Sequence, residues 1–188
     1  MKYKIKIKGI TPYMQHRMDD KKLEEWEGGR PQIIERKGIN HPDLVRAEYH
    51  AYVNEKGKYF LPSEHIRSAM ITAGTYQKSK VGVRTKSMKS IVAAMFMVTP
   101  EEIPLPVFDQ IDKRSAVNRN VKARVIVIRP KWTAWEAAFT LEVGESTLTD
   151  IQLKELINIT GSYVGIGSYR PTNNGYFGRF ELASFERA

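Results

Sequence analysis

The chain has no cysteine. Disulfides, thiolate nucleophiles and thiolate metal sites are excluded with it. Its four histidines, His16, His41, His50 and His65, are not paired at metal-ligand spacing, so no metal is expected. No apolar run reaches the ~18 residues that read as a membrane-spanning helix, and no membrane contact is expected. Met1-Lys-Tyr-Lys-Ile-Lys-Ile-Lys8 alternates charged and apolar residues and so lacks the apolar core of a signal peptide. The default location is therefore the cytoplasm. No Gly-x-Ser-x-Gly elbow marks a hydrolase nucleophile. No Gly-Lys-Ser/Thr ends a phosphate loop, and Gly165-Ile-Gly167 lacks the third glycine of the dinucleotide fingerprint and follows a helical pattern. No cofactor is expected, and no strong catalytic motif is present.

What the chain does have is positive charge. Its 188 residues, most simply one domain, carry 30 Lys and Arg against 21 Asp and Glu, a formal net charge of +9. Such an excess favours nucleic acid or another anionic partner. It is also concentrated. Residues 78–89 hold Lys78, Lys80, Arg84, Lys86 and Lys89 without an acid. Residues 113–131 hold Lys113, Arg114, Arg119, Lys122, Arg124, Arg129 and Lys131, again without an acid. The mutual repulsion in such runs is relieved by an anionic partner.

Periodicity orders the chain. Tyr3, Ile5 and Ile7 alternate with lysines, predicting a half-buried strand over 2–9. Residues 19–40 are charged and contain Gly28-Gly29-Arg-Pro31, which reads as part of an insertion with a short helix around Leu23–Trp26. Asn54-Glu-Lys-Gly57 predicts a hairpin turn between 48 and 61. Ile66, Ala69, Met70 and Ala73 predict the buried stripe of a helix over 63–77, with Ser63 as a plausible N-cap. Strands are expected over 90–98, 120–129 and 134–143. Thr149-Asp-Ile-Gln152 is a capping box opening a helix over 149–163, whose stripe takes Leu153, Leu156, Ile157 and Thr160 or Tyr163. A last strand is expected over 177–185. The expected fold is thus α+β, a ferredoxin-like β-α-β-β-α-β core with insertions at about 19–61 and 99–119. That order places two helices on one face of an antiparallel sheet and leaves the other free, as in RNA-recognition modules.

Between the second helix and the last strand runs Gly161-Ser-Tyr-Val-Gly165-Ile-Gly167-Ser-Tyr-Arg-Pro171-Thr-Asn-Asn-Gly175-Tyr-Phe-Gly178-Arg-Phe180. A helix cap and tight connection explain two of its glycines but not five among arginines and tyrosines. Backbone N–H groups beside Arg170, Arg179, Tyr169 and Tyr176 suit a sugar-phosphate chain with unstacked bases. The expected nucleic-acid contacts are Gly165, Gly167, Tyr169, Arg170, Tyr176 and Arg179, with Lys80, Arg84, Lys86, Lys113, Arg114, Arg119 and Arg124 as an electrostatic track. His16, just after the first strand, is the one histidine placed to act as a general acid or base, against an exposed surface role.

Gly165-Ile-Gly167…Gly175-Tyr-Phe-Gly178-Arg-Phe180 resembles the C-terminal glycine-rich loop of the RAMP superfamily, the RNA-binding proteins of CRISPR effector complexes. Tyr59-Phe-Leu-Pro-Ser63-Glu-His-Ile-Arg-Ser-Ala-Met-Ile-Thr-Ala73-Gly74 is similar to the start of that family's first helix. The two motifs cover under a fifth of the chain; stand-alone phage and prophage proteins share the pattern. The resemblance implies sequence-independent RNA binding by a non-enzymatic subunit that assembles along the strand with its own copies or with other effector subunits. It also implies a hairpin between the second and third core strands, the position of residues 104–119. In an endoribonuclease branch a histidine after the first strand cleaves RNA, a place His16 fits loosely. Single-stranded DNA as the ligand, and a phage structural or assembly role, remain the alternatives.

Overall fold

The computed structural model describes residues 1–17, 43–81, 84–118, 123–144 and 148–188, with the backbone alone at 45, 80, 81, 84–86, 117, 118 and 123. The short helix expected at Leu23–Trp26 lies outside these residues. In chain order the elements are β1 (Lys2–Gly9), β2 (Tyr13–Met14), α1 (Asp43–Tyr49), β3 (Phe60–Pro62), α2 (Ser63–Ala73), β4 (Lys78–Val81) and β5 (Arg84–Ser87). They continue with α3 (Lys89–Met95), β6 (Phe96–Thr99), β7 (Glu102–Pro104), β8 (Gln110–Asn118), β9 (Ala123–Trp132), β10 (Glu136–Val143), α4 (Asp150–Ile159) and β11 (Phe180–Arg187). The fold is α+β with antiparallel sheets.

The main sheet has the order β11-β1-β10-β6, every pair antiparallel. Strict alternation decides its faces. Tyr3, Ile5 and Ile7 of β1 and Ala137, Phe139, Leu141 and Val143 of β10 are buried on one face. On β11 the apolar residues Phe180, Leu182 and Phe185 do not keep a period of two. A register shift opposite Lys6 and Ile7 absorbs the extra residue, so that Leu182 faces Ile7 and Phe185 faces Ile5.

Two helices cover that face and contact each other. The expected stripe of α2 is buried: Ile66, Ala69, Met70 and Ala73. No side chain caps its start, because Ser63 is its first residue, not its cap; the Ser63 N–H instead donates to the Glu101 carbonyl. At α4 the Thr149–Gln152 capping box is formed in both directions. Leu153, Leu156 and Ile157 are buried there, each contributing roughly 1.5–3 kcal/mol through removal from water. Tyr3 ties the layers together, its hydroxyl donating to Asp150 Oδ1 at 2.8 Å.

The other face of the sheet is open and electrically balanced. Lys2 meets Glu142 at 2.7 Å and Lys6 meets Glu136 at 2.6 Å. Lys4 lies across from Glu186, and Lys8 from Glu136 and Glu181. Exposed pairs of this kind stabilise little, but they cancel the basic face expected of β1. The open-face positions of the four strands carry no aromatic side chain.

Two expected strands are corrected. The strand expected over 120–129 is present as β9, with 120–122 outside the described residues, but it stands outside the main sheet and pairs with β8 as one arm of a long hairpin, Asn118 across from Ala123. The hairpin lies in sequence between β6 and β10, and β2 pairs with its base, Tyr13 with Trp132. The 90–98 strand shrinks to β6, because Lys89–Met95 coils into α3, a run whose alanines and methionine favour helix. Gly74 lets α3 approach α2: a Cβ there would lie 2.8 Å from the Lys89 nitrogen.

Candidate functional site

Trp135 occupies the space beside Gly9, and its indole donates to the Thr11 carbonyl. The chain thereby leaves β1 and crosses to the hairpin sheet. Gln15 follows and is buried. Its amide donates to the Phe60 carbonyl at 2.8 Å and accepts from the Tyr52 N–H at 2.7 Å. This fixes His16, whose ring stacks on His50 with centroids 4.4 Å apart. Arg129 Nε–H donates to His16 Nδ1 at 3.2 Å. An arginine can only donate, so in this contact Nδ1 is the acceptor and a neutral ring carries its proton on Nε2.

The glycine-rich segment closes on this region. After α4 the helix widens into a single π turn over Thr160–Val164, and Gly165 reverses the chain. Gly167 (φ 77°) packs so closely that a Cβ would lie 2.4 Å from the Met14 carbonyl oxygen. Gly178 (φ 67°) would place one 1.8 Å from the Ile166 oxygen. Backbone N–H groups are committed within the protein: Gly165 to Thr160, Ile166 to Gly178, Ser168 to Met14, Gly175 to Arg170, Phe177 to Tyr169 and Gly178 to Pro12. The expectation that Gly165 offers its N–H to a ligand is therefore corrected, and close packing accounts for the glycines.

Between this segment and α2 lies a cleft of about 340 Å³. Gln15, His16, Tyr52, His65, Ser68 and Thr72 line one side, and Val164–Ser168, Arg170 and Asn173 the other. Arg170 is part of its wall and also closes the loop, donating to the Gly167 carbonyl at 3.1 Å and to Thr172 at 3.0 Å. His65 Nδ1 is buried without a hydrogen-bond partner. Burial, with the charge of Arg170 beside it, holds the His65 imidazole below its ordinary value.

The hairpin docks against the same loop from the other side. Asp112, Arg114 and Arg129 share one face of it, since Asp112 pairs across with Arg129 and Arg114 with Val127. Asp112 accepts from Arg114 Nε at 2.6 Å and lies 3.8 Å from Arg129 Nη1. Both guanidinium groups lie over aromatic rings of the loop. Arg129 is 4.7 Å from the Tyr169 ring, and Arg114 is 4.8 Å from Phe177 and 5.8 Å from Tyr169. Tyr169 achieves this with φ at 54°, a left-handed conformation unusual for a bulky residue. Tyr176, exposed, stacks on Phe177 and interacts with Arg114.

Of the expected contacts, Gly165, Gly167 and Arg170 thus meet at the cleft, together with His16, the candidate acid or base, and Arg114, Tyr169 and Tyr176 meet at the hairpin base. Arg179 stands apart, exposed, its backbone bound to Ile10 and Thr11. Lys113 is on the opposite hairpin face, paired with Asp43 at 2.8 Å. Arg124 is exposed further along β9. Lys80, Arg84 and Lys86 belong to the β4–β5 hairpin and are described by their backbone alone, and Arg119 lies outside the described residues. Sequence reasoning missed Asp112, Arg129, Phe177 and His65. The signal available for the first two was a strand register that depends on where the hairpin turns. Among the described residues no group of three or more His, Asp or Glu is gathered around a common point. No described helix is long and apolar enough to cross a membrane.

No family model matches the chain, and no curated protein matches it significantly in sequence.

Proposed function

We propose that this protein binds single-stranded nucleic acid, RNA in preference to DNA, largely without regard to sequence, and that it assembles along the strand. In this reading the β11-β1-β10-β6 sheet with α2 and α4 is a ferredoxin-like core of RAMP type, and the β8–β9 hairpin is its insertion. The observation that carries the reading is the segregation of charge. The open sheet face neutralises its lysines, whereas residues 110–132 hold seven basic residues against the single acid Asp112. The base of that hairpin adjoins Tyr169, Tyr176 and the cleft. Guanidinium groups beside aromatic rings suit a phosphate backbone with stacked bases. The test is fluorescence anisotropy with single-stranded RNA and DNA across a salt series. Binding should weaken steeply with salt, and each of Arg114→Ala and Arg124→Ala should flatten the logarithmic slope by roughly 0.7 for each lost phosphate contact on a single strand. Absence of binding at low salt ends the reading. Particle mass that grows with oligonucleotide length tests assembly.

One observation favours a second reading. His16 lies in the wall of the cleft beside the glycine loop, where a general acid or base could act on a strand held there. RNA cleavage by the protein that His16→Ala abolishes would establish it; cleavage that persists in the variant, or none at all, removes it.

A further inference from the structure

Two exposed tyrosines stand next in the fold to cleft-lining residues without lining the cleft themselves, and neither the core nor the hairpin contacts use them. Tyr76 is 61% and Tyr163 65% exposed, yet their rings stack with centroids 6.0 Å apart and 30° between planes. Tyr76 follows α2 by one turn beyond Thr72, and Tyr163 immediately precedes Val164; Thr72 and Val164 both line the cleft. The π turn explains why Tyr163 is outside. The buried stripe of α4 continues through Thr160, Gly161 and Val164, not through Tyr163. Lys78, exposed, opens the β4–β5 hairpin two residues after Tyr76, within the acid-free run 78–89. On α4 the Glu155 carboxylate accepts from the Gln77 amide at 2.7 Å.

We infer that the Tyr76–Tyr163 pair is a stacking platform for one unpaired nucleobase of a single strand that leaves the neighbouring cleft, with Lys78 beside the adjoining phosphate. The inference rests on the nucleic-acid reading and extends the binding track to residues outside the glycine loop's arginines and the β8–β9 hairpin. The base stacks on the outer face of the pair, because 6.0 Å between tilted rings leaves no room for a ring between them. Every base has a π face, so the platform adds affinity without sequence preference.

The experiment measures binding of a fluorescein-labelled oligouridylate at low salt to wild type, Tyr76→Ala, Tyr163→Ala and the two Tyr→Phe variants. Each alanine variant should lose roughly 5- to 100-fold in affinity, the effect of one stacked base, whereas the phenylalanine variants stay close to wild type. If wild type does not bind, the nucleic-acid reading itself fails. If wild type binds and the alanine variants bind equally well, the platform is overturned and the nucleic-acid reading stands. Should an alanine variant melt early, photocrosslinking of wild type to 4-thiouridine-substituted oligouridylate decides. Crosslinks to peptides containing Tyr76 or Tyr163 support the platform, and their absence among other crosslinks refutes it.

Discussion

Replacing Asp112 with Asn changes almost no volume and removes the carboxylate that touches Arg114 and Arg129. Asp112 and Arg129 are nearly buried, with side chains 6% and 8% exposed, whereas Arg114 is 37% exposed. Taking away one member of a buried ion pair costs about 3–5 kcal/mol, since the remaining charge stays desolvated. Two features reduce that figure. Solvent screens part of what Arg114 loses, and the amide oxygen of Asn still accepts a hydrogen bond. The expected destabilisation is about 2–3 kcal/mol, which for a chain of this size lowers the melting temperature by about 4–12 °C. Trp132 and Trp135 are buried, at 1% and 4% exposure, and Trp132 sits on the hairpin itself. Their fluorescence therefore reports the melt. Adding Arg129→Met to Asp112→Asn should cost less than the two single losses together, because the orphaned charge is gone. A melting temperature for Asp112→Asn within about 1 °C of wild type would refute the claim that this carboxylate stabilises the fold by pairing with Arg114 and Arg129.

Three further outcomes follow from other contacts. Gly178→Ala combines a left-handed φ of 67° with a Cβ 1.8 Å from the Ile166 oxygen, and should destabilise by about 3 kcal/mol or more in denaturant titration; a loss below about 1 kcal/mol would mean the loop has room. The folded protein holds the His65 imidazole below the 6.5 of the unfolded chain, chiefly by burial and then by Arg170. The unfolded chain therefore binds that proton more readily, so stability falls as pH drops through about 6.5 and levels once the folded-state value is passed. His65→Gln should flatten this slope in melts between about pH 8 and 5. Tyr3→Phe removes the hydroxyl bound to Asp150 and should cost about 1–2 kcal/mol by chemical unfolding.

Local pattern made some elements legible and left others hidden. Tyr3, Ile5 and Ile7 announced β1 because a period of two needs only its own residues. The stripe of α2 and the Thr149–Gln152 box were equally self-contained. Residues 120–129 were legible as a strand, but a strand's partner is set by distant residues. Its pairing with β8 could not be read from its own alternation. Helical spacing allowed either Thr160 or Tyr163 into the stripe of α4. The π turn, a backbone event, selected Thr160. At the site, Arg114, Tyr169 and Arg170 were visible as charged and aromatic residues in unusual company. Asp112 and Arg129 became meaningful only through the register that sets them opposite each other.

The glycines changed meaning most. A cluster of five suggested a backbone that a ligand approaches, yet the N–H groups of Gly165, Gly175 and Gly178 are all donated within the protein. Glycine at 167 and 178 answers close neighbours, Met14 and Ile166. What the compact backbone achieves is the presentation of side chains. It sets Tyr169 under two guanidinium groups, stacks Tyr176 on Phe177, and brings Arg170 to the wall of the cleft that His16 and His65 share. Guanidinium, imidazole and aromatic side chains thus stand on this surface beside the Val164–Ser168 segment of the cleft wall. Binding energy should then respond to Arg114, Tyr76 and Tyr163, whereas substitutions at the glycines should act on affinity through the stability of the loop that carries Tyr169, Arg170 and Tyr176.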